Sequence, residues 1–467
     1  MKPNSLCEIQ CKSIIFNNKE YPRKELYENI NNLSKYLTKN FKSDSPFILL
    51  SCYNHIKTFI AFFAILKANK IVVILDPQCK QLEISEIIEK IKPSALIIPD
   101  ISVDTFNYNT EIIFRKSKIE TSENLSDVRL ISFTNAEDGY LKGAMLTETN
   151  LLKQVEILIK TNEINKNSIL CSLLPFSHLF GMMHGIIIPS QSNTKTIIIE
   201  NDFLNIKYIL ESIYNFNITH VYSVPSVYYL ISKFPEAQKF LYKTNNFYSG
   251  GISLPPKIYE EFLLKTGKTI REGYGLTEAS PGVTLNYDVY PFPGSIGKPL
   301  PGINVKILKE DNSECKDNEI GEICVQGPTV FKGYYNDSLN TRKVLINGWL
   351  HTGDLGTKDK SGNIYFCGLK KNMINVGGIN VYPEYLKRLI KKHSNVIDAI
   401  IYSEKSQIFG DIPCAKIFLK KYSQTHINEF KQWCTKNINN SILPIKFDFQ
   451  HLRNSFIKNK IKIYENY

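Results

Sequence analysis

PFILLSCYNHIKTFIAFFAILKANKIVVILDP, residues 46–77, sets two short apolar runs on either side of a longer one. PFILLSC (46–52) and KIVVILDP (70–77) have the length and aliphatic content of buried strands, and HIKTFIAFFAILKAN (55–69) is long enough for a helix. Short apolar strands alternating with helices predict a parallel sheet covered by helices. Upstream, ELYENINNLSKYLTKNF (25–41) carries apolar residues at helical spacing, and the alternation returns around SILCSLLPFS (168–177), THVYSVPS (219–226) and the run into Tyr274.

The texture changes between Ser295 and Tyr335, where short β-rich segments such as INVKIL and GEICVQGP are punctuated by Gly and Pro. That pattern predicts a small antiparallel barrel. After GWLHTGDLG (348–356) and a turn at Ser361-Gly362-Asn363, a hinge near Leu369 to Lys371 opens a further domain. The expected fold is therefore α/β. A large N-terminal domain (1–368) of helix-covered, mostly parallel sheets plus a small β-barrel is hinged to a small α+β C-terminal domain (369–467). A crevice at the carboxyl ends of such strands is where an α/β enzyme binds its ligand.

At 467 residues the chain is too long for one compact core. The segment Phe59 to Leu75 is interrupted by Lys67 and Lys70 and is too short to span a bilayer. The first residues show no signal-peptide pattern. Ten scattered cysteines, with no CxxC pair and no zinc-like Cys/His spacing, fit reduced thiols, so a cytoplasmic protein is expected. The net charge of +12 is uneven: from Leu369 onward 17 Lys and Arg stand against 7 Asp and Glu. A basic C-terminal domain suits an acidic partner or simply reflects Lys-rich composition, and no nucleic-acid-binding motif accompanies it.

Eight blocks follow in order: SFTNAEDGYLKGAMLTETNL (132–151), LPFSHLFG (174–181), YSGG (248–251), EGYGLTEASP (272–281), GSIGKPLPG (294–302), GEICVQGP (321–328), GWLHTGDLG (348–356) and GLKKNMINVGGINVYPE (368–384). The series resembles the adenylate-forming (AMP-binding) superfamily, most of all its fatty-acyl-CoA synthetases. The resemblance implies two half-reactions. A carboxylic acid first attacks the α-phosphate of ATP to give an acyl-adenylate and pyrophosphate. A thiol, from CoA or the phosphopantetheine arm of an acyl carrier protein, then takes the acyl group.

The resemblance also implies site residues. Tyr274 would pack on adenine, Thr277 would contact the α-phosphate, and Glu278 would hold Mg2+. Asp354 would accept both ribose hydroxyls, while Thr134, Gly139, Lys142 and Gly143 remain from the phosphate loop. His178 would stand at the mouth of the acyl pocket and Gly251, beside Gly250, would let substrate approach the backbone. Lys371 matches the hinge lysine, and Lys460, in RNSFIKNKIKI, matches the lysine that bridges carboxylate and α-phosphate. No acid sits in LPFSHLFG to pair an amine, which favours an acyl or aryl acid over an amino acid. His184 lies six residues beyond His178, a poor spacing for a helical metal pair, so no metal is assigned to it.

Two departures stand out. Ala136, Glu137 and Asp138 replace the Gly and two Thr usual in the phosphate loop. One carboxylate about 5 Å from a phosphate charge costs on the order of 3 kcal/mol at an effective dielectric near 20. Leu369 stands where the family has an arginine that contacts ribose, and Tyr385 replaces a common glutamate. Two readings follow: a working ligase, or an impaired relative that binds an acyl chain, an adenylate or a carrier protein as sensor or scaffold.

Overall fold

The computed structural model describes residues 5–41, 45–101, 108–112, 123–135, 141–200, 205–287, 294–370, 374–376, 379–381, 383–406 and 410–451. The chain divides into two compact units: the first comprises Met1–Pro77, Ile88–Thr134 and Lys142–Lys370, the second Gln78–Ile87, Asn135–Leu141 and Lys371–Tyr467.

The opening stretch folds as its pattern predicts. Phe47–Ser51 and Ile71–Leu75 are wholly buried strands paired in parallel, and Ile56–Lys67 is the intervening helix. The His55 ring caps that helix by accepting from the Lys57 N–H, and every residue from Ile56 to Leu66 is buried. Strands this apolar on both faces are the mark of a sheet covered on both sides. They belong to a seven-stranded sheet ordered Gly333–Tyr334, Leu141–Thr147, Val128–Asn135, Ile71–Leu75, Phe47–Ser51, Ala95–Pro99, Tyr108–Ile112 among the described residues.

A second sheet, nine-stranded among the described residues, has a parallel centre: Ile270–Gly275, Asn246–Ser249, His220–Ser223, Ile169–Ser172, Lys195–Ile198 and Ser13–Phe16. Antiparallel strands close both of its edges. Asn54 ties the LPFSHLFG loop to the first sheet, donating to the Leu174 carbonyl at 2.9 Å and accepting from the Phe176 N–H at 2.8 Å.

The expected small barrel is not closed among the described residues. Asn304–Leu308, Gly321–Gln326 and Trp349–Lys358 form an antiparallel sheet whose far edge is shared by Leu345–Ile346 and Ile364–Leu369. That edge is split between two short strands and so offers no continuous ladder to Asn304–Leu308, which turns back on itself through a Leu308–Glu314 bridge. Closure needs one consistent register around the ring, and this sheet remains open.

In the second unit, Val396–Ser406, Gly410–Leu419, Ile374–Val376 and Ile379–Val381 pair antiparallel, and Lys446–His451 adds in parallel. Helix Gln424–Asn437 sets buried Phe430 edge-on to Phe447 and Phe449, with ring centroids 5.8 and 5.7 Å away. None of the described helices is long and apolar enough to cross a membrane. All ten cysteines are free.

Candidate active site

Strand Ile270–Gly275 runs into a tight turn that carries Thr277 and Glu278. Leu276 N–H donates to the Pro281 carbonyl at 2.9 Å, folding the segment back on itself. A Cβ on Gly275 would lie 1.8 Å from that same oxygen, so only glycine fits the approach. The turn is hung from the segment beyond Gly327. Phe331 N–H donates to the Glu278 carbonyl at 2.8 Å, and Ser280 Oγ donates to the Thr329 carbonyl at 2.7 Å.

The Glu278 side chain is buried, and two hydroxyls donate to its Oε1: Tyr334 at 2.9 Å and Thr134 at 3.3 Å. Burial pushes its carboxyl above the ordinary range, while these two donors and the charge of Lys142 pull the other way. Lys142 Nζ sits 5.6 Å from the centre of the Tyr334 ring. Thr134, Lys142, Glu278 and Tyr334 thus converge from four separated segments. Both hydroxyls engage Oε1 and neither engages Oε2, an oxygen of the kind a hard cation takes, so the residues present fit Mg2+.

Asp354 lies in strand Trp349–Lys358, and its Oδ2 accepts from the Tyr274 hydroxyl at 2.6 Å. Burial, then the neighbouring Asp354 charge, raise the Tyr274 phenol well above its usual value, so it remains a donor. Directly across the ladder from Asp354 stands Leu369. Paired residues of an antiparallel ladder share a face, so an aliphatic side chain flanks the carboxylate. The next residue, Lys370, donates its N–H to the Gly353 carbonyl at 2.7 Å and pairs its Nζ with Glu322 at 2.9 Å. Glu322 Oε1 also accepts from Gly353 N–H at 3.0 Å. Burial works to raise the Glu322 carboxyl, but Lys370, the Gly353 amide and His351 outweigh it and hold it low.

Beside Tyr274 opens a mostly apolar cavity of about 100 Å3. Gly250, Gly251, Gly273 and Gly275 line it together with Leu158, Leu285 and Leu300. A Cβ on Gly250 would come within 2.9 Å of the Phe180 ring, and Gly251 takes φ +80°. The remaining wall is aromatic: His184 lies between Phe180 and Tyr222, at centroid distances of 4.8 and 4.1 Å, and Tyr222 stacks on Tyr248 at 4.8 Å. His184 belongs to a π-helical turn, Met183–Ile187, of the kind that collects at functional sites. Burial drops its pKa to about 4, so the ring is neutral. Its Nδ1 lies 3.0 Å from the Phe180 carbonyl, an oxygen that can only accept, which makes Nδ1 the protonated nitrogen.

A family pattern described as AMP-binding enzyme matches residues 12–335. The chain belongs to the AMP-binding enzyme family. It is 28% identical over 330 residues to the long-chain-fatty-acid–CoA ligase of Escherichia coli O157:H7, covering 69% of this chain and 58% of that protein. It is 28% identical over 325 residues to the 4-coumarate–CoA ligase of Pinus taeda, 67% of this chain and 60% of the relative. The chain thus spans about 58% of the length of the first of these relatives. In structure it is similar to the amide bond synthetase McbA of Marinactinospora thermotolerans, with a TM-score of 0.83 over 98% of both chains and 18% identity, a likeness of fold.

Within this AMP-binding fold, Thr134, Lys142, Glu278, Tyr274 and Asp354 occupy one continuous neighbourhood with the cavity glycines. Thr277 is half-buried beside Glu278 on the turn. Gly143 sits one residue beyond Lys142, where its carbonyl accepts from Tyr335 N–H at 2.8 Å. His178 is exposed and not among the residues that line the cavity, whereas His184 is. Gly139, Lys371 and Lys460 lie outside the described residues, as do Ala136, Glu137 and Asp138. Sequence reading missed Tyr334, whose hydroxyl holds Glu278, and the stacked pair Tyr222 and Tyr248. The only signal for the pair was their place near the ends of adjacent strands, where THVYS and NFYS align Tyr222 with Tyr248.

Proposed function

We propose that this chain uses ATP to activate a carboxylic acid as an acyl-adenylate, releasing pyrophosphate, and passes the acyl group to a thiol. The observation that carries this reading is the cavity that ends at Tyr274, whose hydroxyl holds Asp354. An acid seated there has its carboxylate beside the nucleotide residues. Glu278 would hold Mg2+, which when bound neutralises phosphate charge. Asp354 would accept the ribose hydroxyls, and Thr134, Gly139, Lys142, Gly143 and Thr277 would surround the phosphates. His184, which lines the cavity where His178 does not, would meet the acid, Lys460 would steady the attacking carboxylate, and Lys371 would act at the hinge between residues 1–368 and a mobile 369–467.

The acid carries an apolar tail, fatty or otherwise acyl or aryl, because glycines, leucines and aromatic rings line the cavity. The thiol donor is CoA or the phosphopantetheine of an acyl carrier protein. The basic C-terminal segment favours a phosphorylated or acidic donor over nucleic acid, and the free cysteines fit the cytoplasm. Leu369 opposite Asp354 supports the second reading, a binder of acyl groups or adenylates with little turnover.

Pyrophosphate release should be measured with ATP and Mg2+ across acids from acetate to palmitate, with benzoate and cinnamate included. Acid-dependent release that is stronger with acids carrying an apolar tail than with acetate is expected. Release that is as strong with acetate would refute the role given to the apolar cavity. No release with any acid, alongside calorimetric binding of an acyl-adenylate analogue, would establish the second reading.

A further inference from the structure

We propose that Glu322, Cys324 and His351 form a binding site for a thiophilic divalent ion of the zinc class, with Lys370 as its built-in competitor. The sequence spacing gives no hint of it, because the cysteine and the histidine lie 27 positions apart. The ladder between Gly321–Gln326 and Trp349–Lys358 makes Cys324 and His351 direct cross-strand partners, so their side chains share a face. Glu322 lies two residues before Cys324, across a register shift, and joins the same face.

The distances suit tetrahedral coordination. His351 Nδ1 lies 3.4 Å from Cys324 Sγ and 3.3 Å from Glu322 Oε2, and all three ligand atoms fall within 4.8 Å of one another. With zinc–sulfur bonds of about 2.3 Å and zinc–nitrogen or –oxygen bonds of about 2.0–2.1 Å, tetrahedral edges come to roughly 3.6 Å for S···N and 3.3 Å for N···O. One thiolate, one imidazole and one carboxylate on rigid strands leave a fourth position for water. The outer support is present as well: Gly353 N–H binds Glu322 Oε1 at 3.0 Å and so presents Oε2, and Thr352 Oγ1 donates to the Ile323 carbonyl at 2.7 Å. Without a metal, a single Nδ1 faces both the sulfur and the carboxylate and can satisfy only one of them.

Lys370 Nζ now holds Oε2 at 2.9 Å, yet its side chain is 47% exposed against 11% for Glu322, so it can swing into solvent. Binding exchanges one cation for another. The ion takes Sγ, Nδ1 and Oε2, the thiol proton of Cys324 passes to solvent, and the Lys370 ammonium is released. Because the pairs Glu322–Leu355 and Cys324–His351 bracket Asp354 across a register shift in the ladder, occupancy should also be felt at the nucleotide residues; that consequence alone rests on the proposed function.

The test is titration of the full chain with Co2+ alone in metal-free buffer, followed by competition with Zn2+. A thiolate-to-cobalt charge-transfer band with intense tetrahedral d–d absorption, saturating at one ion per chain, is expected. Cys324→Ser should abolish the charge-transfer band, and His351→Gln should weaken binding about 10–100-fold. Lys370→Gln leaves all three ligands intact and should tighten binding about tenfold, which keeps the test decisive if a ligand variant misfolds. A charge-transfer band that survives in Cys324→Ser, or binding unmoved or weakened in Lys370→Gln, would overturn the proposal.

Discussion

Replacing Tyr334 by Phe removes one oxygen from the most enclosed carboxylate of the site. The hydroxyl donates to Glu278 Oε1 at 2.9 Å, both residues are buried, and the ring's edge contact with Phe331 at 4.9 Å remains available to Phe. A hydrogen bond to an ionised group contributes about 1.5–3 kcal/mol, roughly twice that to a neutral one. Burial has already raised the Glu278 carboxyl, and the lost donor was opposing that rise, so the variant's carboxyl moves further up. At 1.36 kcal/mol per pH unit, the acid limb of Mg2+-dependent pyrophosphate exchange should shift upward by about one to two pH units. Stability should follow the same sign. A carboxyl raised by folding contributes stability below its unfolded pKa and loses it as pH rises through the folded one. Tyr334→Phe should therefore unfold about 1.5–3 kcal/mol more easily above the folded pKa of Glu278, where the carboxylate is ionised, and by only about 1 kcal/mol below its unfolded pKa. Exchange rates across pH at two Mg2+ concentrations, with urea melts on both sides of that titration, measure this. An acid limb that stays in place would mean that Glu278 does not hold the metal or that Tyr334 does not hold Glu278.

Glu272 is buried, accepts from Leu254 N–H at 2.8 Å, and has its carboxyl pushed by burial from 4.5 to about 8. It should therefore remove on the order of 5 kcal/mol of stability between pH 4.5 and 8, and Glu272→Gln should flatten that slope in urea melts. Leu369→Arg places a guanidinium opposite Asp354; an exposed pair contributes about 0.2–1 kcal/mol, so the KM for ATP should fall about 1.4- to fivefold. A rise would show that the arginine takes the carboxylate from ribose. Gly250→Ala pushes a Cβ to 2.9 Å from the Phe180 ring, which must yield into the cavity. The KM for the acid should rise at least tenfold with ATP affinity unchanged, at a stability cost of about 1–3 kcal/mol.

The strand–helix–strand unit at 46–77 was legible because both strands are apolar runs of five buried residues and the helix is twice their length. Glu278 and Asp354 were singled out because each sits in a short motif, EGYGLTEASP or GWLHTGDLG, that resembles the family pattern, and both lie near Tyr274 in the structure. What was not legible depends on pairing across long separations. Tyr334 reaches Glu278 across 56 positions, and Cys324 reaches His351 across 27. Local periodicity carries no register between such segments. The open sheet was misread as a barrel for the same reason: Gly- and Pro-punctuated strands announce antiparallel pairing, but whether the last strand meets the first is decided by the split edge at Leu345–Ile346 and Ile364–Leu369.

The ladder that ends at Lys370 also fixes a mechanical route. Residue 370 is the last of the first unit, and its N–H is bonded to the carbonyl of Gly353, immediately before Asp354. Tension on the chain beyond that point is borne first by this bond and the Lys370–Glu322 ion pair and next by the Asp354–Leu369 pair, as a zipper parts tooth by tooth from its end. The deep apolar packing around Ile323 and Val325 lies behind those links. A pull at residue 370 is thus delivered to Asp354 before that core registers any load.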